Sequence, residues 1–117
     1  MESIKEVMLK EHGKANVLIE KLDKDVQESS PDTKKDFNEL RLFLKAHFYV
    51  EDEAIFNIFT TMKEREVSSI FDLMQEHGII LGNLSDIERA INKNQPIDIA
   101  PLKKNFREHS LVEERFF

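Results

Sequence analysis

The chain has no cysteine, which removes disulfides, iron–sulfur clusters and thiol catalysis in one step. Glycine and proline are scarce, three of each, beside 40% hydrophobic and 34% charged residues. That balance belongs to a soluble, helix-rich globular protein. Basic clusters are also missing. The net charge is -6, and without a basic face to meet phosphates nucleic acid is not an expected partner. No apolar run approaches the ~20 residues of a membrane span, and the charged start "MESIKEVMLKEHGK" lacks the apolar stretch of a secretory signal. These absences predict a cytoplasmic protein without membrane contact. Its 117 residues suffice for a single domain, residues 1–117, around one core.

What is present is helical periodicity, with no segment of period two. Ser3 followed by Glu6 reads as a capping box opening a first helix, whose stripe is Ile4, Met8, His12, Ala15, Ile19, Leu22 and Val26. "ESSPDT" ends it, with Ser30 placed to cap a second helix and Pro31 in its first turn. That helix shows Phe37, Leu40, Leu44, His47, Glu51, Ile55, Ile58 and Met62 on one face. Its best break is Thr60–Thr61, where Thr61 and Glu64 form a second capping-box pattern. A third helix presents Ile70, Met74, His77, Leu81, Leu84 and Ile91. "NKNQPIDIAP" is a loop with Asp98 as a cap, and a fourth helix follows with Leu102, Phe106, His109, Glu113 and Phe116 or Phe117. Four amphipathic helices with short connections predict an all-α fold, an antiparallel up-down four-helix bundle.

The stripes carry unexpected chemistry. All four histidines of the chain lie on apolar stripes, one per helix, and two of them open the same pattern, His-x-x-x-Glu: "HFYVE" from His47 to Glu51 and "HSLVE" from His109 to Glu113. Residues four apart on a helix share a face, so each pair aims an imidazole and a carboxylate into the core. A buried carboxylate is costly unless paired, hydrogen-bonded or bound to a cation. Around two metal ions the set makes sense, because carboxylate oxygens can bridge two cations while neutral imidazoles complete each coordination sphere. Chain spacing agrees. The midpoint between His12 and His47 falls in "SSP", that between His47 and His77 is Met62, and that between His77 and His109 is Lys93. Each midpoint lies at a predicted turn, which puts all four histidines at one level, with each glutamate ~6 Å further along its helix.

Two other metal-site patterns do not match these residues. Ferritin-like bundles use Glu-x-x-His, but the corresponding positions here are Leu9, Leu44, Met74 and Phe106. The zinc-protease pattern His-Glu-x-x-His is absent. Glu11, Glu76 and Glu108 precede histidines, but a neighbour sits ~100° around the helix. They are expected to be solvated, as are Asp52 and Glu114, with one such residue able to touch a ligand from outside. Phe43, Phe48, Phe106, Met8, Met74 and Leu73 flank the ligands as core, and Leu73 or Met74 is placed to line an open coordination position. Tyr49 is off the stripe. Gly13 and Gly78, in the repeated triplet "EHG", are expected to let helices approach closely.

Taken together, "EHGKANVLI", "HFYVEDEAIF", "EHGIILGNL" and "EHSLVEERFF", in this order and spacing, resemble the hemerythrin-like (HHE cation-binding) domains over essentially the whole chain. The resemblance implies a four-helix bundle around two iron ions, oxo- or hydroxo-bridged. Glu51 and Glu113 would bridge them, with His12 and His47 on one and His77 and His109 on the other. Manganese or zinc would suit the same ligand types. Leu73 stands where oxygen-carrying hemerythrins have a further histidine. Four histidines and two glutamates are more similar to the domain of iron–sulfur cluster repair proteins, which respond to nitric oxide and oxidative stress, although the cysteine-containing N-terminal segment usual there is absent. The chain stops one turn after Glu113, where members usually continue, so the sequence is expected to be cut short at its C-terminus. Three functions follow as expectations. The first is a di-iron module that binds or senses oxygen or nitric oxide or handles iron. The second is a di-iron enzyme, ferroxidase or peroxidase-like, and the third a bundle stapled by a divalent metal for interaction. No protein partner is indicated.

Overall fold

The structure, a computed structural model, describes residues 3–58 and 64–116, with the side chains of residues 4, 55–58, 64–69 and 116 left aside. Four helices account for nearly all of it: α1 (Ile4–Gln27), α2 (Thr33–Ile58), α3 (Glu64–Asn92) and α4 (Ala100–Phe116). No strand occurs among the described residues. Each helix packs against its neighbours in chain order and α4 returns to α1, which makes an antiparallel up-down four-helix bundle.

Local chemistry sets the helix ends. Ser3 caps α1, its hydroxyl accepting from the Glu6 amide at 3.1 Å. Ser30 accepts from the Asp32 amide at 3.1 Å in the tight turn that leads into α2, three residues before Thr33, so it does not cap the regular helix, and Pro31 lies in that turn rather than in the helix's first turn. The Asp98 carboxylate takes the Ala100 amide at 3.0 Å at the start of α4. At the other ends, α1 and α3 finish in the same way. The amide of Ser30 donates to the Asp25 carbonyl at 2.8 Å and that of Gln95 to the Ala90 carbonyl at 2.9 Å. Between them Ser29 and Asn94 sit at φ 51° and 52°, the left-handed residue of a Schellman stop. The predicted break at Thr60–Thr61 lies outside the described residues, as do Met62 and Phe117, while Ile4, Ile55, Ile58, Glu64 and Phe116 are helical with their side chains left aside.

The buried positions alternate at spacings of three and four. In α1 they include Met8, His12, Ala15, Ile19 and Leu22; in α2, Phe37, Leu40, Leu44, His47 and Glu51; in α4, Leu102, Phe106, His109 and Glu113. That heptad spacing is what near-parallel helix packing requires. In α3 the stripe is Ile70, Leu73, His77, Ile80, Leu84 and Ile87, which corrects two expectations. Met74 is 40% exposed, and Leu81 is only half-buried at the margin of the core. The pairs 73/74 and 80/81 both satisfy a helical period, and the neighbouring helices decide which member turns inward.

Most of the apolar core, from Leu22, Phe37, Leu40, Ile87 and Leu102 to Leu44, Leu84 and Phe106, fills the half of the bundle nearer the α1–α2 and α3–α4 turns. Met8, Ile70 and Leu73 are buried beyond the histidines. The histidine level therefore lies between two apolar layers. Lys103 of α4 meets Glu20 and Asp23 of α1, Arg41 of α2 meets Glu88 of α3, and Lys21 of α1 meets the buried Asp36 of α2. The exposed pairs among these add at most about 1 kcal/mol each.

Candidate metal centre

The six residues expected from the sequence converge. His12, His47, His77 and His109 are 3%, 6%, 3% and 1% exposed, and Glu51 and Glu113 are 9% and 0% exposed. The imidazoles of His12 and His47 are 5.6 Å apart between ring centres, and those of His77 and His109 4.7 Å. Around them two sets of candidate ligand atoms lie within 4.8 Å of one another: His12, His47, Glu51 and Glu113, and Glu51, His77, His109 and Glu113. The two sets share both carboxylates. This arrangement comes from one turn of each helix, since His47 with Glu51 and His109 with Glu113 use the four-residue repeat of α2 and α4, while α1 and α3 each present a single imidazole at the same height.

Glu113 is the hub. Its Oε1 lies 2.7 Å from His12 Nε2, and its Oε2 lies 3.0 Å from His109 Nε2 and 3.5 Å from His77 Nε2. Glu51 Oε1 is 3.0 Å from His47 Nε2 and 3.4 Å from His77 Nε2. Close approach is not the same as satisfaction. Nε2 of His47, His77 and His109, both oxygens of Glu51 and Oε2 of Glu113 are fully buried and make no hydrogen bond. A core normally leaves few such groups, because each costs about 1–3 kcal/mol. Here six of them point at one another around the same small volume. Imidazole nitrogens and carboxylate oxygens are the donor types that bind iron, manganese and zinc, so the residues present fit a pair of cations.

Without a cation the carboxylates and imidazoles can offset one another only by sharing protons. Burial alone would lower the pKa of His12, but its contacts with Glu113 and Glu114 raise it above the ordinary value. Burial likewise opposes the charge on His77, and the adjoining Glu113 and Glu51 carboxylates push it up to about 10. Burial would raise Glu113, yet His109, His12 and His77 hold it far below the usual carboxylate range. All three shifts have one cause: negative oxygens packed against imidazoles with little water between them.

The aromatic surroundings are unequal in the two halves. Phe48 stacks on His77, ring centres 4.2 Å apart and planes at 18°, and it also contacts His47 and His109. The corresponding residue of α4, next after His109, is Ser110, buried with an unpartnered hydroxyl. Phe106 meets His12 edge-on, and Phe43 lies parallel to His47. Met74 does not line this volume. Leu73, one turn before His77, is fully buried.

Two expectations are corrected here. Gly13 and Gly78 are exposed, and a Cβ built on either meets nothing within 4 Å, so they bring no helices together. Glu11, Asp52, Glu76 and Glu114 are also not simply solvated, since each turns toward the outer nitrogen of a histidine on the next helix. Their sequence signal was available: an acidic residue before the histidine in α1 and α3, and one after the glutamate in α2 and α4. Single-helix geometry gave no reason to value it. Glu108, which fits the first pattern, is exposed.

The family model described as the hemerythrin HHE cation binding domain matches residues 3–117. No curated protein and no solved structure matches the chain. No helix among the described residues is long and apolar enough to cross a membrane.

Proposed function

Because the chain belongs to the hemerythrin HHE cation-binding domain family, we propose that it is a non-haem di-iron module that binds or senses a diatomic ligand, dioxygen or nitric oxide, or handles iron in redox and nitrosative stress. In this reading Glu51 and Glu113 would serve both irons, His12 and His47 would help hold one, and His77 and His109 the other. The observation that carries it is the pair of four-residue clusters sharing both carboxylates, lined by buried nitrogens and oxygens that no protein group satisfies. One shared cluster would suit one ion; two overlapping clusters suit two.

Once bound, an iron pair supplies the electrons and the open coordination positions that a diatomic ligand needs. The protein's part is to hold and to exclude. Carboxylates shared by two cations would hold them side by side, and neutral imidazoles would add ligands without adding charge. Phe48 against His77 forms a dry wall, which favours a small, weakly polar ligand over a charged one. Six protein ligands leave room on each ion for solvent or an added molecule.

The test is metal content and colour. Anaerobic loading should give two irons per chain, with near-ultraviolet absorption after exposure to air and a changed spectrum with nitric oxide. Glu113→Ala should lose both irons because both clusters use it, whereas His109→Ala should retain one. Zero or one iron in the wild-type chain, or a colourless iron-loaded protein, would reject this reading.

A further inference from the structure

The four carboxylates outside the centre follow a rule. Glu11 of α1 faces Nδ1 of His47 on α2, at 3.7 Å. Asp52 of α2 faces Nδ1 of His77 on α3, at 2.9 Å. Glu76 of α3 faces Nδ1 of His109 on α4, at 2.7 Å. Glu114 of α4 faces Nδ1 of His12 on α1, at 3.0 Å. Each helix serves the histidine of the next, and the circuit closes after one turn around the bundle. It also respects the duplication of the chain. Glu11 and Glu76 each precede the histidine of their own helix, while Asp52 and Glu114 each follow the glutamate of theirs.

We propose that Glu11, Asp52, Glu76 and Glu114 form a ring of positioning residues that holds every imidazole of the centre as the Nδ1–H tautomer and whose charge favours the higher oxidation state of a metal pair inside it. The proposal rests on the two-metal reading of His12, His47, His77, His109, Glu51 and Glu113. An imidazole has two nitrogens, and the one that carries the proton is fixed by the partner of the other. A carboxylate accepting from Nδ1–H leaves the Nε2 lone pair free, pins the ring plane and makes Nε2 a better ligand. In all four residues Nε2 is the inner atom, facing Glu51 or Glu113. An accidental surface carboxylate would have no reason to choose Nδ1 four times, on a different helix each time, in cyclic order.

The ring is not deeply buried. Its side chains are 29–40% exposed, so each can be desolvated at modest cost and still act on an imidazole that is almost fully enclosed. With Glu51 and Glu113 it brings the carboxylates around the centre to six. Negative charge at this distance stabilises a more highly charged ion more than a less charged one. Three of the four contacts are within hydrogen-bonding distance, and the Glu11–His47 contact is longer, which predicts an order of effect.

Asp52→Asn, Glu76→Gln and Glu114→Gln keep side-chain volume and an acceptor oxygen but remove charge. The matching alanine variants remove both. Zinc affinity, nitrogen-15 histidine spectra of zinc-loaded protein and the reduction potential of iron-loaded protein read the two effects separately. The alanine variants should lose about tenfold or more in zinc affinity and the uniform Nδ1–H pattern. The amide variants should keep the pattern and shift the potential upward, with Glu11→Gln giving the smallest change. Asp86→Asn, on the exposed face of α3 ~13 Å along the helix from His77, is the control. Zinc-loaded wild-type protein with mixed tautomers overturns the ring, as do variants indistinguishable from the control while two metals remain bound. A wild-type chain that binds fewer than two metals overturns the two-metal reading and the ring with it.

Discussion

Glu113 has no contact with solvent and three imidazoles within 3.5 Å, so its ionisation bears on how the metal-free protein responds to acid. Its pKa is held below the ordinary 4.5, and the stability that this contributes is present above about pH 4.5 and declines as acid protonates the carboxylate. His77 acts in the opposite sense. Its folded-state pKa is raised from 6.5 to about 10, so its contribution is complete below pH 6.5 and disappears as pH climbs toward 10. Metal-free protein should therefore be most resistant to urea between about pH 4.5 and 6.5 and weaken steadily on the alkaline side. A metal displaces those protons, so metal-loaded protein should not show the alkaline decline, and metal uptake should release protons and weaken in acid. Urea midpoints against pH, with and without metal, check this. An alkaline decline of equal size in both forms would refute the assignment to His77.

At the scale of the helix, glycine and capping choices leave stability unused. Gly13, Gly78 and Gly82 are helical, and a Cβ at any of them meets nothing within 4 Å. Glycine inside a helix costs roughly 0.5–1 kcal/mol against alanine. Gly13→Ala and Gly78→Ala should each raise the urea midpoint by that amount without changing metal stoichiometry. A loss of stability would mean that the glycines serve a contact outside this chain. The two Schellman stops make a second comparison. Ser29 and Asn94 both sit at positive φ, where glycine is free of strain and asparagine is tolerated better than serine. Ser29→Gly should stabilise, and by more than Asn94→Gly, in the same denaturation assay.

Among the described residues, the apolar core of the bundle is interrupted at one level by the four histidines, Glu51 and Glu113. That level is a local fault in the core when no cation is present and a strong bond between four helices when one is. Free metal at a hundred times the dissociation constant stabilises by about 2.7 kcal/mol per site. Each kcal/mol moves the melting point of a domain of this size by about 4 °C. A chelator should therefore lower the melting temperature by roughly 10 °C or more, read by circular dichroism, with helix content retained below the transition. An unchanged melting point after verified metal removal would count against a centre that ties the helices together.

Much of this was legible in the chain alone. Four stripes of helical period, a cap at Ser3, turn signals at Ser30 and Asp98, and two His-x-x-x-Glu patterns at matching heights define a bundle and bring six histidines and glutamates to its core, because helix period and rise are properties of the backbone. Tertiary packing decided the rest. Whether Leu73 or Met74 turns inward depends on the surface offered by the neighbouring helices, since both satisfy the same period. Whether Glu11, Asp52, Glu76 and Glu114 face water or an imidazole depends on the rotation of one helix against the next. A single helix seen alone puts them beside the stripe. Only when four helices close does the edge of each stripe become the outer wall of its neighbour's histidine.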